Sequence, residues 1–474
     1  MVSNMQNQLI KLFEGGVTLE EDQVTIKDPQ KVRQHIEKLV REAVLTEDEE
    51  RRYLARFLIR KIAHAMDIIP SSIHDLYVAR GRGDVPNTFT TPAINLRALS
   101  FFAARIIFHI AQEIEAGAFI FEIARSETGY TDQRPSEYAS NVLGAAIAEG
   151  YTGPVFIQGD HYQVSPSRFE GDPEGELDVV RDLTTEALHA GFFNIDVDAS
   201  TLVDLSKDTV PQQQVENIDI TAQLTNFIRE REPEGVTVSI GGEIGEVGGH
   251  NSTEEELRAF LDGFNAVIAQ EYPGTTGLSK ISIQTGTSHG GVVLPDGSIK
   301  DVSVDFETLQ HLSQIARDDY GLGGAVQHGA STLPESAFNK FVESEALEVH
   351  LATNFQNIMF DHLPDNLVDE IYSHLDEHFT DRKKPDQTDE QFYYNNRKRA
   401  LGVYKNEIWG LPKENIDEIC SAWETQFRNL FERLSIAGTR KYVEEQVAAV
   451  KVQPKLEGYL LGGLTPEDTS DLAD

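Results

Sequence analysis

From residue 86 the chain alternates eight times between a short apolar run and a longer amphipathic stretch, which leaves very few folds open to it. The runs are 88–94 (TFTTPAI), 118–124 (AFIFEIA), 154–159 (PVFIQG), 192–198 (FFNIDVD), 236–242 (VTVSIGG), 280–285 (KISIQT), 323–328 (GGAVQH) and 347–353 (LEVHLAT). Each has the length of a strand, and near-continuous apolar character suits strands of a parallel sheet covered on both faces. Between them, 96–116, 136–149, 178–190, 213–231, 254–271, 305–318 and 334–345 show apolar residues at helical spacing, and LPDNLVDEIYSHLDEHF follows the last run. Eight β/α pairs predict a (β/α)8 TIM barrel. A doubly wound open sheet would alternate in the same way, but it would gather its polar site residues at one switch point. Here polar tips recur after nearly every run, so the barrel is the better reading.

Those tips are Asp160-His161, Asp198, Glu243, His289, His328 and Thr353. Side chains leaving the C-terminal ends of parallel barrel strands converge on one face, the face where barrel enzymes carry out their chemistry. Three imidazoles with carboxylates gathered there suit a zinc ion. His289 in TSHGG and His328 in QHGAST share a build, a strand and a histidine followed by glycine, which lets backbone amides approach an anion. A single histidine in such a loop is usually a satisfied polar residue; the three together read as a metal site. A salt-bridged structural role is the bland reading of Glu243. Asp160 and His161, adjacent on an extended chain, are expected to point in different directions, one to metal and one to substrate. Asp196 and Asp198 alternate and are expected to share a strand face. His35, His64, His109, His189 and His311 fall in helix candidates and receive no function.

The 474 residues exceed one barrel's ~250. The expected organisation is a helical N-terminal extension at 1–85, a catalytic barrel at 86–378, and a helical C-terminal extension at 379–474. The last carries a basic cluster (Arg382, Lys383, Lys384, Arg397, Lys398, Arg399) and a polar tail expected to fray. A net charge of −37 argues against nonspecific nucleic-acid binding, and leaves any anionic substrate to be captured by metal, backbone amides and a few basic side chains. No apolar run approaches the ~18 residues of a membrane span, and the first residues lack a signal-peptide apolar core, so a cytoplasmic location is expected. The one cysteine, Cys420, cannot form an internal disulfide and is expected to be a buried apolar residue.

GDH, DVDAS followed by ENI, GGEIGEVGG, GTSHGG, QHGAST and HLATNFQ occur in the order shown by class II, zinc-dependent fructose-bisphosphate aldolases and their tagatose-bisphosphate relatives. The chain resembles that family over about residues 86–360, with TTPAIN as the first element. The resemblance implies that His161, His289 and His328 hold a catalytic Zn2+, with Glu243 and Asp198 at or beside an inner metal position. It implies Asp160 as the acid/base at the aldehyde-derived hydroxyl. Gly290, Gly329, Ser331 and Thr353 would cradle the phosphate of the ketone half, and Asn95 would contact substrate. Cleaving the carbon–carbon bond of such a ketose removes a hydroxyl proton while negative charge is stored as an enediolate. Zinc supports that charge as a Lewis acid, and a carboxylate handles the proton.

Departures from the family pattern bear on the substrate. His350 and Ala352 stand where the family has an asparagine that touches the ketone half and its neighbour, so His350 is expected to line the pocket and alter specificity, the alternative being a histidine packed in the barrel wall. His250 and Asn251 replace acids after the GG of the Glu243 motif, and Ala124 stands where a serine often ends the second strand. The expected function is reversible cleavage of a phosphorylated ketose, by default fructose 1,6-bisphosphate, into dihydroxyacetone phosphate and glyceraldehyde 3-phosphate. Alternatives are a zinc lyase for another sugar phosphate, or a non-catalytic aldolase-like subunit, suggested by FEIARSETGYT but opposed by retention of Asp160 and the histidines. A zinc hydrolase would bring an HxH pair on the first strand, and TTPAIN has none. A homodimer or larger homo-oligomer is expected.

Overall fold

The computed structural model describes residues 2–20, 23–244, 250–286, 294, 304–460 and 472. Eight parallel strands close into a barrel: β1 (Thr91–Asn95), β2 (Ile120–Ala124), β3 (Gly153–Gln163), β4 (Asn194–Asp198), β5 (Ser239–Glu243), β6 (Lys280–Ile283), β7 (Ala325–Gln327) and β8 (Glu348–Leu351). Each pairs with the next in sequence, and β8 pairs with β1 to complete the ring. All eight apolar runs of the sequence become these strands, and helices connect them on the outside, as at Pro135–Glu149, Pro173–Ala190 and Glu254–Glu271. The strands are buried on both faces, which is why their sequences are near-continuously apolar instead of alternating.

Two elements of the first 85 residues are not helical. Val17–Glu20 and Gln23–Ile26 form an antiparallel hairpin, and Ile68–Ser71 adds a ninth parallel strand against the start of β3. This added strand bonds to β3 alone, so Pro70 sits on an edge where its missing N–H costs no ladder bond. The helix that follows, His74–Gly81, closes the N-terminal end of the barrel. Arg80 donates there to the carbonyls of Phe89 (2.7 Å) and Ala346 (3.2 Å), which lie just before β1 and β8.

The flanking helices share the barrel's core. One continuous apolar cluster runs from Leu9 through the barrel helices to Ile436. Gly144 lets helix Pro29–Leu45 lie close against helix Pro135–Glu149, because a Cβ there would come within 2.4 Å of Val40. Buried Glu137 pairs with Arg56 (2.6 Å) on one side and Lys405 (2.7 Å) on the other, joining the N- and C-terminal helices through a barrel helix. Each of those charges would be costly to bury without its partners. Trp423 donates to the Phe355 carbonyl at 2.9 Å, pinning helix Lys413–Arg433 beside the segment after β8. Cys420 on that helix is half-buried, not fully buried as expected. It lines a surface groove with Phe102 and Ile416, and burial pushes its thiol up to about 11.

Candidate active site

The C-terminal ends of the strands open into one cleft. It is lined by Asn95, Asp160, His161, His328, Gly329, Ser331, His350 and Thr353 among the residues singled out from sequence. His289 and Gly290 lie outside the described residues.

Local backbone explains the first pair. Contrary to the expectation for adjacent residues on an extended strand, Asp160 and His161 both face the cleft. The β3–β4 register shifts between Gly159 and Tyr162, and His161 adopts the left-handed φ of 39°. A non-glycine residue in that region is strained, and such strain is concentrated at sites that use it. Gly159 makes room for the bulge, since a Cβ there would sit 2.5 Å from the Tyr162 ring.

His161 is oriented from behind. Its Nδ1 lies 3.2 Å from Asp198 Oδ2 and 3.1 Å from Glu243 Oε2, which leaves Nε2 toward Asp160 Oδ1 at 4.0 Å. Asp198 also accepts from Gln163 (2.8 Å) and the Ser200 hydroxyl (2.7 Å). Although burial alone would raise the Asp198 pKa, these bonds and His161 hold it below the ordinary carboxylate range. Burial, with the Asp198 charge adding, pushes Glu243 up to about 7. His328 is arranged similarly, with Nε2 at 2.9 Å from the Ser282 hydroxyl and Nδ1 toward Asp160 at 3.9 Å. The His161 and His328 rings are 4.2 Å apart. Ligand atoms of Asp160, His161 and His328 all lie within 4.8 Å of one another, as do those of His161, Asp198 and Glu243. Two buried imidazoles, each fixed at one nitrogen and presenting the other beside a carboxylate, are the donor set that fits a borderline-soft divalent ion.

Beside this group, His350 bridges three carboxylates. Its Nδ1 lies 3.0 Å from Glu122 Oε2 and 3.1 Å from Asp160 Oδ1, and its Nε2 lies 2.6 Å from Glu348 Oε1. Burial opposes charge on the ring, but Glu122 and Asp160 raise its pKa well above the ordinary histidine value. Burial and the Asp160 charge push Glu122 up to about 8. Below them, the barrel interior is charged. Lys280 donates to Glu348 (2.5 Å), Gln158 (2.8 Å) and Asp196 (3.0 Å), and Tyr77 donates to Glu348 from the closing helix. Asp196 and Asp198 thus share the inward face of β4, one serving the interior and one the mouth. Gly241 is required by this network, since a Cβ there would come within 2.4 Å of Asp196.

Just past the ends of β7 and β8, Gly329 has a φ of 68°, and the Thr353 amide donates to the Ser331 hydroxyl at 3.1 Å where helix Thr353–Asp361 begins. Asn95 donates to Glu127, which also accepts from Arg97 at 2.7 Å.

Several cleft residues were not anticipated from sequence: Arg97, Glu122, Glu127, Gln356, and, from the C-terminal segment, Tyr394, Asn395 and Lys398. The aromatic-basic stretch FYYNNRKR carried the signal for the last group. Of the basic cluster, Lys398 reaches the cleft, whereas Arg397 stacks over Phe360 and Tyr394 and donates to Asn357 at 2.8 Å.

A closed (β/α)8 barrel with a buried histidine–carboxylate cluster at its C-terminal mouth has the architecture of a barrel enzyme, with a cluster that could hold a metal ion. Residues 86–417, well over half of the chain, match the sequence model of fructose-bisphosphate aldolase class II, and the chain belongs to that family of lyases. The match runs beyond the 86–360 read from motifs, and so takes in the segment that supplies Tyr394 and Lys398. In fold the chain is similar to a probable tagatose 6 phosphate kinase from Sinorhizobium meliloti 1021, at 14% identity over 75% of this chain and 98% of that one, with a TM-score of 0.51. Two further similar structures are a fructose-bisphosphate aldolase from Campylobacter jejuni (16% identity, 77% and 94% covered, TM-score 0.45) and the YdjI aldolase from Escherichia coli K12 (14% identity, 78% and 99% covered, TM-score 0.45). Among the described residues, no helix is long and apolar enough to cross a membrane.

Proposed function

We propose that the protein is a zinc-dependent aldolase that reversibly cleaves a phosphorylated ketose, fructose 1,6-bisphosphate by default, to dihydroxyacetone phosphate and glyceraldehyde 3-phosphate. The observation that carries this reading is the convergence of Asp160, His161 and His328 in one cleft that also contains Gly329, Ser331 and Thr353. His161, His328 and, by family resemblance, His289 would hold the ion, with Glu243 and Asp198 behind His161. Bound zinc supplies Lewis-acid stabilisation of the charge that develops on the ketone oxygen, worth several kcal/mol of barrier.

The chain's own groups do the rest. Asp160 removes the proton from the C4 hydroxyl as the carbon–carbon bond breaks and returns it in the condensation direction. The backbone around Gly329, with the Ser331 and Thr353 hydroxyls, holds the phosphate of the ketone half. Asn95 contacts the substrate and is itself fixed by Glu127. Residues 86–378 form the catalytic domain on this reading, with 1–85 and 379–474 as helical extensions, in a cytoplasmic homodimer or larger homo-oligomer.

A second reading, an aldolase for a different sugar phosphate, is favoured by His350 and Glu122 in the cleft. The deciding experiment is a retro-aldol screen of purified protein against several ketose bisphosphates, with and without a chelator. Chelator-sensitive cleavage of fructose 1,6-bisphosphate in preference to the others supports the first reading, and preference for another ketose the second. No cleavage of any of them by zinc-loaded protein would point to a non-catalytic subunit.

A further inference from the structure

We propose that His350 is a positioning residue for Asp160, set in place from beneath by Glu348 and Lys280. The inference rests on the reading of Asp160 as the proton-handling group, and adds to it a device for aiming that group. An aspartate side chain turns about two torsions, so its aim depends on what it touches; the nearest nitrogens of His161 and His328 are 4.0 and 3.9 Å away. His350 Nδ1 is much closer, at 3.1 Å. The imidazole is a rigid ring, so fixing its other nitrogen fixes the direction in which Nδ1 points. Glu348 does that at 2.6 Å, from the same inward face of β8 two residues earlier.

Glu348 cannot follow the ring, because it accepts from Lys280 (2.5 Å), from Gln158 (3.1 Å) and from the Tyr77 hydroxyl. A chain of contacts thus runs from the closed end of the barrel to the proposed acid/base. An arrangement held to within a fraction of an ångström is what turnover requires, and displacement by about 1 Å can cost on the order of 10²-fold. No cleft chemistry is assigned to Glu348 or Lys280 themselves; both are fully buried below it.

The test uses zinc-loaded protein and fructose 1,6-bisphosphate cleavage. His350→Ala should lower kcat about 10- to 100-fold while zinc content holds, and His350→Gln, which keeps an N–H donor, should recover part of the loss. Because His350 acts through Asp160, the double variant Asp160→Asn/His350→Ala should be no slower than Asp160→Asn alone. Multiplying effects in the double variant would overturn the proposal, as would normal kcat in His350→Ala when Asp160→Asn is slow. Normal turnover in Asp160→Asn would instead remove the underlying reading of Asp160. Crystal structures of the zinc-bound wild type and His350→Ala decide the geometry whatever the substrate. The carboxylate of Asp160 should contact His350 in the first and leave its place in the second, and an unmoved carboxylate would also overturn the proposal.

Discussion

Asp160 Oδ1 and His161 Nε2 stand 4.0 Å apart in the same cleft although the two residues are neighbours in the chain. Extended backbone would send them to opposite faces of β3, so the left-handed turn at His161 is what gives the site both groups. Gly159 leaves the space that the Tyr162 ring needs beside that turn. Gly159→Ala should therefore destabilise the protein by about 1–3 kcal/mol, as overpacking does. It should also lower zinc content, because His161 would be re-aimed. Urea denaturation and metal analysis check both. A variant of wild-type stability and metal content would mean the bulge forms without the glycine.

Metal binding should follow the three proposed histidine ligands, His161, His289 and His328. The purified protein is expected to carry about one zinc per cleft, and His328→Ala and His289→Ala should each lose both metal and cleavage activity. Elemental analysis alongside the retro-aldol assay tests this, and full activity in metal-free protein would refute it.

Asp160→Ala should keep its zinc while turnover falls roughly 10²–10⁴-fold, the usual contribution of a well-placed proton donor or acceptor. Normal turnover in this variant would make Asp160 a structural residue.

His350 lines the cleft, so its size and hydrogen-bonding pattern should affect which ketose fits. His350→Asn is expected to change the ratio of kcat/KM between two ketose bisphosphates more than it changes zinc content. An unchanged ratio, with both constants intact, would show that the residue has no part in selecting substrate.

A pH effect should come from two histidines far from the cleft. His64 accepts from Arg60 Nε at 2.9 Å, which requires a neutral ring, and burial, with Arg60 adding, pushes its pKa down to about 3. Burial likewise takes His74 down to about 4. In the unfolded chain both titrate near ~6.5, so between the folded and unfolded values the unfolded state binds more protons. Their contribution to stability is therefore present above ~6.5 and is lost as pH falls toward the folded values, a loss on the order of a few kcal/mol. His64→Gln, which keeps an acceptor for Arg60, should flatten part of that fall in a series of denaturation curves. An acid limb identical to wild type would assign the effect elsewhere.

The barrel was legible because buried parallel strands write themselves as apolar runs, and VFIQGDH or VSIGGE ends in the residue that the mouth uses. The hairpin is written in the alternation of VTLE and QVTI, but its strands are only four residues each and sit between helical segments whose periodicity dominates the stretch. Strand Ile68–Ser71 was hidden by Pro70, which reads as a break until its edge position is known. The bulge at His161 left no mark in sequence, since it depends on Gly159 meeting Tyr162 in space. Glu122 and Lys280 lie within runs read as apolar, and only the closed ring shows both turned inward, each bonded to Gln158. Tyr394 and Lys398 reach the cleft from far down the chain, and no local pattern reports that kind of approach.

That last contribution sets an order of events in synthesis. All eight barrel strands lie between residues 91 and 351, so a ribosome has made every strand before the segment that adds Tyr394 and Lys398 to the cleft lining. Until Tyr394 and Lys398 emerge, the cleft lacks two of its lining residues, and until Lys405 emerges, Glu137 is one partner short. A chain stopped by a premature termination codon near residue 380 would thus lack one side of the cleft lining and, with Trp423, Phe427 and Phe431 missing, would leave the shared core open to water.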